Sequence, residues 1–149
     1  MVRYINVRTS ARTEMVDITA DVQEVIAETG LEEGVCYLFV PHTTGAVTIN
    51  EGADPSVRRD IIKTLSQLVP RDGGYTHMEG NSDAHIKSSL VGASAYVFVE
   101  KGKPLLGTWQ SIFFCEFDGP RHRRVAIKVL GGEQRSDLVA GGLEETPEP

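Results

Sequence analysis

Hydrophobic and polar positions alternate with two different periods along this chain, and the change of period divides it into elements. Short apolar/polar alternations over residues 2–8 and 13–18 predict two strands that can pair with each other. Thr19 then stands where a helix cap belongs, Val22, Val25 and Ile26 share one helical face, and Gly30 is placed to end that helix. From Val35 to Val40 the chain is apolar at both parities, the pattern of a strand covered on both faces. Pro41-His42-Thr43-Thr44-Gly45 breaks this run. From Ala46 to Asn50 the pattern alternates again, with Val47 and Ile49 on one side and Thr48 and Asn50 on the other.

The clearest helix start is Asp54-Pro55, a carboxylate cap followed by proline at the first helical position. Val57, Ile61, Leu65 and Leu68 make its predicted buried stripe, with Arg58, Arg59 and Lys63 off it, and Pro70 ends it. Residues 71–81 form a polar loop around Gly73-Gly74. Asn81 or Ser82 can cap a third helix over about 83–91. Strands follow at about 94–100, 110–118 and 122–130; in the last, Val125, Ile127 and Val129 alternate with Arg124, Ala126 and Lys128. With helices early, strands late and no repeat or linker, the order predicts an α+β sheet with helices on one face rather than a doubly wound fold.

Composition narrows the function. At 149 residues, 40% apolar and 24% charged, the chain matches one ordinary globular domain. It has neither a run of ~20 apolar residues nor a signal-peptide layout, so the expected setting is the cytoplasm, with no membrane partner. Cys36 and Cys115 sit in apolar runs without a CxxC spacing and read as small buried hydrophobes. The net charge of −6 is uneven. From Glu133 onward, five acids face the single Arg135, which leaves −2 for the body. Residues 132–149 therefore read as an acidic, flexible tail, and the near-neutral body has no basic field to gather nucleic acid.

Three histidines lie at element ends or in polar loops: His42, His77 and His85. Imidazole titrates near neutral pH and is a common metal ligand, and three histidines with an open position form a recurrent catalytic zinc site. His122, among Arg121, Arg123 and Arg124, reads as part of a solvated charge cluster. Glu51, which has no capping duty of its own, is the candidate base at the strand-to-helix junction of residues 50–58. Lys87, with Ser88 and Ser89 beside it, can neutralise phosphate as a point charge. Thr108-Trp109-Gln110 makes a polar turn around the only tryptophan, which can either cover core or stack on a heterocycle.

Together these segments resemble a known family. Pro41 to Ala46, Asn50-Glu51 with Asp54 to Asp60, Tyr75 to Gly80, His85 to Gly92 and Gly107 to Gln110 are similar to blocks of the YjbQ-like family, in the same order, across roughly residues 3–131. The resemblance implies a single-domain α+β fold of mostly antiparallel sheet, assembled as a homotrimer with pockets near subunit boundaries. It also implies the activity members are often labelled with, secondary thiamine-phosphate synthase, a transfer that joins an aminopyrimidine diphosphate to a thiazole phosphate and releases pyrophosphate. On this reading His42, His77 and His85 hold a divalent metal, zinc by ligand type, with magnesium the ion a diphosphate would favour. Glu51, Lys87 and His85 are the catalytic candidates. Arg58, Ser88, Thr108, Trp109 and Gln110 would bind a small phosphorylated substrate. A ligand- or metal-binding trimer without turnover and a small metal-dependent hydrolase are the alternatives.

Overall fold

The computed structural model describes residues 1–131; the predicted tail lies outside the described residues. Eight strands and three helices follow the order β1 (Arg3–Arg8), β2 (Glu14–Asp17), α1 (Thr19–Thr29), β3 (Glu33–Phe39), β4 (Gly45–Glu51), α2 (Pro55–Leu68), α3 (Ser82–Val91), β5 (Ser94–Glu100), β6 (Lys103–Pro104), β7 (Gln110–Glu116) and β8 (His122–Leu130). They form two wholly antiparallel sheets, β1-β8-β3-β5-β6 and β2-β7-β4. The first two strands therefore do not pair with each other. Arg3–Arg8 adds to β8 and Glu14–Asp17 to β7, so the chain crosses from one sheet to the other between them.

The main core lies where the sheets face each other. Ile5, Cys36, Leu38, Val97, Val125 and Ile127 from the five-stranded sheet meet Val47, Ile112 and Phe114 from the three-stranded one, and α1 adds Val22, Val25 and Ile26. Gly30 ends α1 in the left-handed region, φ 68°, where a residue without Cβ meets no steric cost. Thr19 does not cap α1; its hydroxyl instead accepts the Ile112 amide N–H, and the Asp17 carboxylate accepts the Thr19 amide N–H.

A second cluster lies on the other side of the three-stranded sheet. There Ala46, Phe113 and Cys115 pack against Ala84 of α3, with Ile61, Ile62 and Leu65 of α2 at the margin. Asp54 caps α2 by accepting the Ser56 amide N–H at 2.9 Å, and Pro55 follows, as the pattern predicts. The stripe expected to be buried on α2 is not, however: Val57, Ile61 and Leu65 are only half-buried and Leu68 is exposed. Helices thus cover one face of the small sheet, whereas among the described residues nothing covers the outer face of the large sheet. Tyr4, Tyr37, Phe39, Tyr96 and Phe98 all stand on it, each about half exposed. The two-sided burial expected of Val35 to Val40 is accordingly one-sided within a single chain: Cys36, Leu38 and Val40 are inside, Tyr37 and Phe39 outside. No helix among the described residues is long and apolar enough to cross a membrane.

Candidate functional site

α3 explains much of the local chemistry. Its inward face is unusually polar: Asp83, Lys87 and Ser88 are buried with Ala84. Lys87 donates from Nζ to Asp83 Oδ2 at 3.1 Å, one helical turn back, and Arg12 clamps both oxygens of the same carboxylate at 3.2 Å. Burial pushes the Asp83 carboxyl up, but the hydrogen bonds from Arg12 and Lys87 outweigh it and hold the group below the usual carboxylate range. Lys87, only 2% exposed, is thus an internal tie rather than an open phosphate contact.

The outward flank of α3 carries His85. Its ring meets that of His77 edge to face, with centroids 5.6 Å apart, and Glu79 approaches His77 Nε2 at 3.7 Å. His77 and His85, with Gly74, Tyr75, Ser82 and Ile86, line an open basin of about 570 Å³. An adjoining groove adds Arg71 to the His77 side. Across His85 lies a second pocket, about 330 Å³, with His42, Gly45, Ser88 and Gly92 in its walls. Gly45 is required there, because a Cβ would stand 2.7 Å from the Phe114 ring.

His42 is held by the backbone. Its Nε2 accepts the Arg124 amide N–H at 3.0 Å. Partial burial, followed by the nearby positive charge of Arg123, lowers its pKa from the ordinary histidine value and favours the neutral ring. Arg123 belongs to a buried network that the sequence pattern did not single out. Its guanidinium donates to both oxygens of the fully buried Glu116 and to the Thr44 hydroxyl, while Glu116 also accepts from the Thr9 hydroxyl and from the Phe117 and Asp118 amides. Two signals were present in the sequence. Glu116 is the lone charge within residues 112–117, and Arg123 shares the inward parity of Val125 and Ile127. His122 is exposed, as expected.

The remaining candidates lie elsewhere. Glu51 pairs with Gln110 at one end of the β4–β7 ladder, and Gly45 pairs with Glu116 at the other. Six residues of strand separate the two ends, roughly 20 Å at ~3.3 Å per residue. Gln110 accepts the Gly107 amide N–H through its side chain, Trp109 and Thr108 are exposed in that turn, and the Glu51 carboxylate accepts the Ala53 amide N–H. Arg58 lies 4.6 Å over the Phe113 ring and donates to the Met15 carbonyl, so its guanidinium packs on the sheet. Within one chain, the single pocket expected around three histidines separates into a His42–His85–His77 end and a Glu51–Trp109–Gln110 end.

The three imidazoles also do not form one metal cradle. Among the described residues no three His, Cys, Asp or Glu side chains converge closely enough to hold an ion, and His42 Nε2 is occupied by the Arg124 amide. The side chains present in one chain do not fit a tri-histidine zinc centre.

Comparison with known proteins places this architecture. The profile of the family described as UPF0047 protein YjbQ-like matches residues 3–132. The chain belongs to the YjbQ-like UPF0047 family. A UPF0047 protein of Methanocaldococcus jannaschii is 55% identical over 125 residues, covering 84% of this chain and 91% of that one. The Bacillus subtilis member YugU is 48% identical over 132 residues, 88% of this chain and all of its own length. A crystal structure of a family member from Clostridium acetobutylicum superposes with a TM-score of 0.84 at 48% identity, covering 86% and 99% of the two chains. A YjbQ-like protein of unknown function from Sulfolobus solfataricus gives 0.84 at 33% identity, over 88% and 96%. The family likeness therefore spans both sheets, all three helices and every histidine considered above.

Proposed function

We propose that this family member is the subunit of a homotrimeric enzyme that acts on a small heterocyclic, phosphorylated substrate at the two cavities sharing His85. The observation that carries this reading is the position of His85 in the wall between them, with His77 lining one and His42 the other. Trimer formation would cover the bare aromatic face of the large sheet, since apolar patches of this extent usually mark association surfaces. Arg71, with no carboxylate partner among the described residues, is the cation placed for a phosphate beside the His77 basin, in the role the sequence suggested for Lys87. The reaction class is the thiamine-phosphate-synthase-type transfer that the family resemblance suggests. A diphosphate substrate brings magnesium as its own counter-ion, held by phosphate and water oxygens rather than by imidazole.

The test uses wild type and His85→Ala. Pyrophosphate release is followed with aminopyrimidine diphosphate and thiazole phosphate, and light scattering follows assembly. The reading expects turnover in wild type that is lost in an intact His85→Ala trimer. If His85→Ala instead breaks the trimer and wild type turns nothing over, the chain is a non-catalytic assembly whose histidines serve subunit contacts.

A further inference from the structure

Two polar groups at the pocket beside His42 have no hydrogen-bond partner among the described residues. Ser88 is 7% exposed, and its buried hydroxyl makes no hydrogen bond. The second group is on His42. Because Nε2 accepts the Arg124 amide N–H, it carries no proton, so the neutral ring keeps its proton on Nδ1. That Nδ1–H has no acceptor among the described residues. Two cations adjoining the pocket are already matched, Lys87 with Asp83 and Arg123 with Glu116. The pocket wall thus holds the Ser88 hydroxyl and the His42 ring as uncharged hydrogen-bonding groups, beside the His85 ring.

We infer that His42 is a fixed neutral imidazole whose Nδ1–H donates to an uncharged oxygen of the ligand, a carbonyl or cyclic amide, with the Ser88 hydroxyl as the second contact. The inference rests on the reading that these cavities bind a small heterocycle, and it names what the smaller one recognises. It also gives His42 a role other than metal ligation. Coordination through Nδ1 would move the ring proton to Nε2, where it would face the Arg124 N–H donor to donor. Lys87 and Arg123 are already paired with Asp83 and Glu116, so a phosphate would find neither of them free to match its charge.

Nitrogen-15 NMR of the full-length, histidine-labelled protein reads the tautomer directly. The expected result is the Nδ1–H form at neutral pH, with that signal shifting on addition of uracil, a cyclic-amide probe, and not of inorganic phosphate. His42→Gln keeps an acceptor for the Arg124 amide but places no N–H at the Nδ1 position, and should weaken uracil binding about tenfold. His42→Asn, whose amide N–H sits near the Nδ1 position, should recover part of that loss. An Nε2–H tautomer overturns the inference, as does a preference for phosphate or equal uracil binding by His42→Gln. If uracil fails while other heterocyclic probes still bind in the His77–His85 basin, this assignment alone is overturned. If no small molecule binds anywhere, the proposed function fails too, and the tautomer remains separately readable.

Discussion

Lys87 and Asp83 stand one turn apart on α3 and close a buried ion pair at 3.1 Å, with Arg12 on the same carboxylate. Removing Asp83 would leave the Lys87 charge without its match in a place water does not reach, which costs about 3 kcal/mol in comparable pairs. Asp83→Asn should therefore lower stability by that order, and Lys87→Met by less, because Arg12 still holds the Asp83 carboxylate. Chemical denaturation of Lys87→Met, Asp83→Asn and the double variant would show strong coupling between the two sites. A Lys87→Met protein of wild-type stability that had lost only phosphate affinity would return Lys87 to the substrate.

A larger loss is expected at Glu116. Its carboxylate is fully buried and accepts from Arg123, Thr9 and two backbone amides. Glu116→Gln preserves the shape but strands the Arg123 charge, for an expected cost of about 3–5 kcal/mol. Urea unfolding would measure it. Because Arg123 also reaches Thr44, next in the chain to the His42 loop, loosening should spread there first and appear in hydrogen exchange of residues 41–45.

Acid should act on the protein in two separate windows. The folded pKa of His42 lies below its ordinary value of 6.5, so the unfolded chain takes up the proton first. The stabilising contribution is complete above about pH 6.5 and is lost as the pH falls through the folded value. Asp83 and Asp118, also lowered, lose theirs only below the ordinary carboxylate value of 3.8. Thermal melts across mildly acidic pH should show a decline in wild type that His42→Gln lacks.

The aromatic outer face of the large sheet gives a prediction about assembly. Tyr37 and Tyr96 are directly opposed on β3 and β5, and Phe98 is next along. If the proposed trimer forms through this face, Tyr37→Arg, combined with Phe98→Asp where one charge is not enough, should convert it to monomer in light scattering with the far-ultraviolet spectrum unchanged. A Tyr37→Arg/Phe98→Asp variant that stayed trimeric would place the interface elsewhere.

Local chemistry was legible in the sequence; tertiary pairing was not. Asp54-Pro55 and Gly30 mark helix ends through interactions within a few residues, and both were found at the expected places. Cys36 and Cys115 were read as buried hydrophobes, and burial does raise their thiols to about 11 and about 12. Lys87 was misplaced because a lysine on a helix normally points to water, and nothing local reveals that Arg12, 71 residues before Asp83, helps to neutralise the inward face. The separation of Glu51 and Trp109 from His42 was equally hidden. Sequence order shows that β4 joins the two regions, but not that its whole length lies between them in one chain. The resemblance found the family and the histidines, while the distances among them required the fold.

The polar inward face of α3 has a consequence for how this protein can vary. Ten residues carry both the fastening of the helix, through Asp83 and Lys87, and the partition between two cavities, through His85. A fastening made of matched charges tolerates change only when both members change together, whereas an apolar one accepts many single substitutions. The anchor and the partition lie on opposite flanks. New specificities can therefore arise by drift at Ile86 and Ser89 while the position of the helix stays set by residues that single substitutions rarely move.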